Sequence, residues 1–168
     1  AMQQAGKNIC VIDADIGLSN LEIISGQPMN RSLLDIIHKN FTIEDVLTKG
    51  PEGIYMISGG SGLNELNVIK DSEHSSKLLF EIQKLQDQFD YILIDTGAGI
   101  SESVTNFIEI SDMAIIISTP EPTSIMDAYV LIKTMTNLGY KGKYYYLTNM
   151  AKNINDWKRT SEKIKTAT

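Results

Sequence analysis

The chain has 168 residues, 15 Lys+Arg against 21 Asp+Glu, 42% apolar residues and one cysteine. That length suits a single domain over 1–168 with a real core, and one cysteine excludes both an internal disulfide framework and a Cys-based zinc site. A formal net charge of −6 argues against a general nucleic-acid or anionic-membrane surface, while leaving room for a local basic patch. No apolar run approaches the roughly 18 residues of a membrane span. The polar start AMQQAGKN carries no signal peptide, so a cytoplasmic chain is expected.

The predicted elements alternate. A first strand covers Ile9–Asp13. Two short helices follow, Leu33–His38 and Ile43–Leu47, with turn signals at Gly50-Pro51 before a second strand, Ile54–Ser58. A cap-like Asp71-Ser72 opens a helix whose apolar residues Leu78, Leu79, Ile82 and Leu85 recur at three and four up to Phe89. Tyr91–Asp95 is a third strand, Ser101–Ile110 a helix and Ala114–Ser118 a fourth strand. A helix starting near Thr123 carries Ile125, Tyr129, Ile132 and Met135 and stops at Gly139. A fifth strand, Tyr144–Thr148, precedes a polar surface helix over Asn155–Lys165. The strand runs are continuously apolar, the pattern of strands buried on both faces, and Cys10 lies inside one as a core residue. Together they predict an α/β domain with a mostly parallel sheet flanked by helices.

In open parallel sheets the ligand crevice lies beyond the carboxyl ends of the strands. Here those ends are polar. The first closes with Asp13-Ala14-Asp15-Ile16-Gly17, the second with Ser58-Gly59-Gly60-Ser61-Gly62 and the third with Asp95-Thr96-Gly97-Ala98-Gly99. The fourth closes with Ser118-Thr119-Pro120-Glu121 and the fifth with Thr148-Asn149. Three carboxylates at one edge repel unless a cation or hydrogen bonds offset them. A magnesium ion beside phosphates fits, since it takes one or two carboxylates and keeps several waters. Any one Asp or Gly here is equally a turn residue; the recurrence at one edge is what carries weight.

Four stretches bear a resemblance. CVIDADIGLSNLE (10–22) resembles the switch I segment of the MinD/ParA family of deviant Walker ATPases, and FDYILIDTGAGI (89–100) its Walker B strand and switch II. STPEPTSIMDAY (118–129) is similar to the segment after the next strand, and LTNM (147–150) to the adenine-side motif. The wording IDADIGLSN, IDTGAGI and TPEPTSIMDAY is nearest to the family's FlhG branch, which regulates flagellar number.

The resemblance implies a P-loop NTPase-like fold, with ATP and Mg2+ as ligands, and it assigns roles. Asp15 would organise the attacking water, with Asp13 supporting it and Asn20 near the site. Asp95 would hold the magnesium shell. Gly97 and Gly99 would let backbone approach the γ-phosphate, Asn149 would read adenine, Glu121 would belong to the cofactor site, and Asp127 would couple to partners. Implied partners are a second copy on ATP binding, an FlhF-type GTPase, flagellar C-ring proteins, and the membrane through a C-terminal tail. Nucleic acid is not among them.

The departure is the phosphate loop. GxxxxGK[ST] is absent: the Gly-Lys pairs are Gly6-Lys7-Asn8 and Gly142-Lys143-Tyr144. The expectation is therefore a chain lacking the family's first strand, which would lie beside Tyr91–Asp95, and inactive alone. The free edges of Tyr91–Asp95 and Ala114–Ser118 would then pair with each other or take a strand from elsewhere.

Other readings stay open. A division-site or chromosome-partitioning ATPase shares the same motifs. A phosphorylated receiver fits Asp13, Asp15 and Asp95, but its spacing and terminal lysine are missing. A dinucleotide fold through Gly97-Ala98-Gly99 would place Glu102 where a glycine should stand. A nucleotide-free interaction module remains the non-enzyme alternative.

Overall fold

The computed structural model describes residues 1–16, 19–60 and 72–167. Gly17, the Ser61-Gly62 turn and the Asp71 cap lie outside the described residues. The chain divides into two compact units, Ala1–Gly97 and Ala98–Thr168.

The first unit holds β1 (Ile9–Asp13), α1 (Leu21–Ser25), α2 (Leu33–Lys39), α3 (Ile43–Val46), β2 (Thr48–Lys49), β3 (Tyr55–Ile57), α4 (Ser72–Gln83) and β4 (Tyr91–Asp95). Its sheet runs β2-β3-β1-β4. β1 is central and parallel to both β3 and β4, with Asp13 in register with Asp95. β2 is a two-residue antiparallel partner of β3 around the Gly50–Gly53 turn, too short to leave a periodic signal. Cys10, Ile12, Leu33, Ile36, Ile43, Ile57, Leu78 and Leu85 form the fully buried centre. There burial pushes the Cys10 thiol up to about 12, the state of an inert core thiol.

Local chemistry explains the helices. Ser32 and Asp35 make a capping box at α2, and Thr42 and Asp45 make one at α3. A third carboxylate reaches α3 from a distance. Buried Glu81 of α4 accepts the Ile43 amide at 3.1 Å and is neutralised by Lys84 at 2.5 Å. One side chain thus satisfies an orphan helix donor and fastens α4 to α3.

The second unit holds α5 (Glu102–Glu109), β5 (Met113–Ser118), α6 (Pro122–Asn137), β6 (Lys143–Thr148) and α7 (Ile154–Ala167). β5 and β6 pair in parallel over six residues each. Ile116, Ile125, Ala128, Ile132, Met135 and Ile164 form its buried cluster. α7 is more than a polar surface helix: it buries Thr160 and Ile164 against α6 and β6.

The expectation of strands buried on both faces holds for β1 and fails for β4, β5 and β6. Ile115 and Ile117 are 59% and 60% exposed, whereas Ile116 between them is buried. Tyr145 and Leu147 continue that bare face on β6. Side chains alternate across a strand, and here only one face carries helices. Among the described residues β4 and β5 do not pair with each other: each has a neighbour on one side and a free edge on the other.

Glu81→Ala is expected to lower the unfolding free energy by about 1–3 kcal/mol in urea denaturation, since it strands the buried Ile43 amide.

Candidate active site

The acidic edge of the first unit is organised by Asp13. Its side chain is 3% exposed. Oδ1 accepts the Asp15 amide at 3.1 Å. Oδ2 accepts the Ser19 hydroxyl at 2.8 Å, the Asn20 amide at 2.9 Å and the Leu21 amide at 3.2 Å. The Asn20 and Leu21 amides are the otherwise unsatisfied donors at the start of α1, and the Asn20 side chain does not cap it. Asp13 is therefore a remote cap that draws the loop after β1 back over the strand end. The predicted catalytic carboxylate is fully engaged with its own loop. Asn20 contributes its backbone there, and its side chain is exposed.

Ser19 extends the network. Its hydroxyl also lies 3.1 Å from the buried Ser58 hydroxyl, which accepts the Gly60 amide at 3.2 Å. The loops after β1 and β3 are thus joined through two serine hydroxyls. Sequence reading missed both, because only the fold brings residues 39 positions apart into contact. The joint is tight: a Cβ on Gly59 would stand 2.5 Å from the Asp13 carbonyl oxygen.

Asp15 and Asp95 remain for chemistry. β4 extends its ladder by one bond past its end, from the Ala14 amide to the Asp95 carbonyl at 2.7 Å. Asp15 is half-buried and Asp95 exposed. The Asp15 carboxylate rests on switch-like backbone at Gly97, where a Cβ would come within 2.9 Å of Oδ1. Gly97 is therefore required there for close approach. Partial desolvation of the carboxyl at the strand end first, then the Asp13 and Asp15 charges, push Asp95 above its ordinary range although much of the residue remains open to solvent.

This donor set fits a magnesium ion. Among the described residues no three His, Cys, Asp or Glu side chains form an all-protein metal cage. Magnesium needs only one or two carboxylates beside water and phosphate oxygens. The set does not by itself fit a triphosphate, since the edge presents three acids and none of the hydrogen bonds to them comes from a lysine or arginine.

Gly99, Glu121, Asp127 and Asn149 belong to the second unit. Gly99 has φ +97° and open space around it. Glu121 precedes α6 with its side chain exposed, and Asp127 lies on α6. The Asn149 amide bonds the Ser118 carbonyl at 2.7 Å, continuing the β5–β6 ladder, and its Oδ1 accepts the Met150 amide at 2.9 Å. Nearby, the buried Thr119 and Thr148 hydroxyls have no partner among the described residues, so the carboxyl ends of β5 and β6 hold unused polar capacity. A cleft of about 680 Å³ opens at the opposite, amino ends of these strands, between the last turns of α5 and α6.

Two outcomes follow. Asp13→Ala is expected to cost about 2–3 kcal/mol and to speed hydrogen exchange at the Asn20 and Leu21 amides while β1 stays protected. A carboxyl held above its ordinary value destabilises the fold as pH rises through that interval, and the penalty is complete above the raised value. Asp95→Asn should therefore raise the Tm at neutral pH and leave it unchanged in strong acid, with magnesium giving the wild-type chain a like gain.

Residues 1–145 match the AAA domain family. The chain is 32% identical over 151 residues to antiactivator FleN of Pseudomonas aeruginosa, covering 90% of this chain and 54% of that protein. It is 30% identical over 164 residues to the flagellum site-determining protein YlxH of Helicobacter pylori, covering 98% of this chain and 55% of that one. The chain thus spans about half the length of these relatives. Among solved structures it superposes on the MinC:MinD cell division protein complex of Aquifex aeolicus with a TM-score of 0.71 and 29% identity, over 95% of this chain and 61% of that one. With its α/β fold, acidic strand ends and these relatives, the chain belongs to the AAA domain family of MinD/ParA-type P-loop ATPases and has kin in the FlhG branch.

Proposed function

We propose that the chain is the water-positioning and magnesium-holding part of an ATP-driven spatial switch that regulates flagellar number or placement. The observation that carries this reading is the Asp15 carboxylate seated on Gly97 beside Asp95, in a loop tied down by Asp13. In hydrolysis by in-line attack, positioning and charge neutralisation do most of the work. Asp15 orients the water. Asp95 would hold the shell of a magnesium ion, whose charge would offset that of the phosphates. Asp13 acts one step back, by fixing the loop rather than touching the reacting atoms, and Asn20 serves through its backbone. Gly97 leaves room for phosphate at this edge; Gly99, Asn149 and Glu121, which lie in the second unit, are nucleotide positions by the resemblance alone.

The relatives FleN and YlxH support the flagellar role. That role implies a cytoplasmic protein that dimerises on ATP, meets an FlhF-type GTPase and C-ring proteins, and reaches the membrane peripherally through a C-terminal tail. Among the described residues no helix is long and apolar enough to cross a membrane. The resemblance to the MinC:MinD complex favours a second reading, a division-site ATPase. The missing GxxxxGK[ST] favours a third, an interaction module that has no turnover of its own.

Calorimetric titration of the 168-residue chain with Mg·ATP is expected to give no heat, because the phosphate cradle is not among these residues. In a protein that joins them to a phosphate loop, Asp15→Ala should abolish turnover and spare ATP binding. Unchanged turnover would remove Asp15 from this role.

A further inference from the structure

The joint between the loops after β1 and β3 has a direction. The Asp13 carboxylate offers acceptors only, so the Ser19 hydroxyl spends its one proton on Asp13 Oδ2 at 2.8 Å. The 3.1 Å contact between the two serines then has one available donor, the Ser58 hydroxyl. Ser58 in turn accepts the Gly60 amide at 3.2 Å. Donation therefore runs one way, from the Gly60 amide through Ser58 and Ser19 to Asp13. Hydrogen bonds ordered head to tail polarise one another, and each holds the next in place.

Both ends of this path are anchored. At one end the other oxygen of Asp13 accepts the Asp15 amide at 3.1 Å. At the other end the Ser58 carbonyl accepts the amide of Leu33, the first residue of α2, at 2.9 Å. Gly60 is pressed onto the same turn of α2. Its φ is +93°, and a Cβ there would stand 2.7 Å from Leu34 Cδ1 and 2.9 Å from Ser32 Oγ. Asp13, Leu33 and Ser58 are buried, so the path is held away from competing water. Alanine would fit the space at 19 or 58; what the serines add is the hydroxyl.

We propose that Ser58 is a positioning residue for Asp15, acting through Ser19 and the two oxygens of Asp13. The start of α2 and the loop that carries Asp15 then move as one body, and a displacement of α2 is felt where Asp15 rests on Gly97. The catalytic consequence rests on the reading of Asp15 as the residue that orients water. The coupling itself does not.

The coupling is measured on the intact chain by amide hydrogen exchange, without nucleotide or metal. Ser58→Ala is expected to speed exchange at the Asp15 amide about tenfold, the worth of roughly one charge-assisted hydrogen bond, although Ser58 is two side chains removed from it. Ser19→Ala should do the same. The double variant should exceed neither, because the two hydroxyls act in series. Ser19→Thr keeps the hydroxyl and should keep the wild-type rate. The amides of β4, paired with β1, are the control and should not change. An unmoved Asp15 amide or additive effects overturn the proposal. So does equal acceleration along β4, which would make Ser58 a contributor to general stability, and so does a Ser19→Thr chain that exchanges like Ser19→Ala. In a protein that joins these residues to a phosphate loop, Ser58→Ala should lower kcat and leave KM unchanged. Faster exchange with kcat unchanged overturns the positioning role. Turnover indifferent to Asp15→Ala would instead end the catalytic reading and leave the exchange result standing.

Discussion

The buried Asp13 carboxylate is the interaction on which the acidic edge depends. A carboxylate this far from solvent survives only if donors surround it, and three amides and a hydroxyl do so. Those donors all come from the loop after β1. Satisfying the charge and folding the loop are therefore one event. The geometry of Asp15, two residues on, follows from it. Asp95, in register on β4, then stands beside two like charges, a setting that a hard cation would relieve.

The same economy recurs at Glu81. Here too a buried acid from one element closes the amino end of a short helix on another. Helices of four and five residues have little stability of their own. In α1 it comes from Asp13, and in α3 Glu81 adds to the local Thr42–Asp45 box. Helix α1 was invisible in the sequence for that reason: its cap lies seven and eight residues upstream, on a strand.

The chain is also unevenly finished. Among the described residues β1 has neighbours on both edges, while β4 and β5 each keep a free edge, and the helices of the second unit cover one face of β5 and β6. Parallel strands with bare apolar faces are unusual, because parallel sheets are normally covered on both sides. Met113–Ser118 contains no charge, proline or bulge to blunt its edge, the usual protections against strand addition. The apolar continuity of these strands reads as burial on both faces, yet these residues cover only one.

Much was nonetheless legible. The five long strands, the α/β class and the acid-rich strand ends follow from apolar runs alternating with helical periodicity, and those signals are local. The residue types at 13, 15 and 95 marked an acidic strand edge, and Asp13 and Asp95 do stand in register on neighbouring strands. Residue order could not reveal which acid is spent on structure. Asp13 and Asp15 look alike in a string, and their roles separate only when the chain turns back and places four donors on one of them. The hydroxyl bridge from Ser19 to Ser58 and the fit of Gly97 under Asp15 are of the same kind. Periodicity and composition depend on neighbours in sequence, whereas hydrogen-bond satisfaction and exposure depend on neighbours in space.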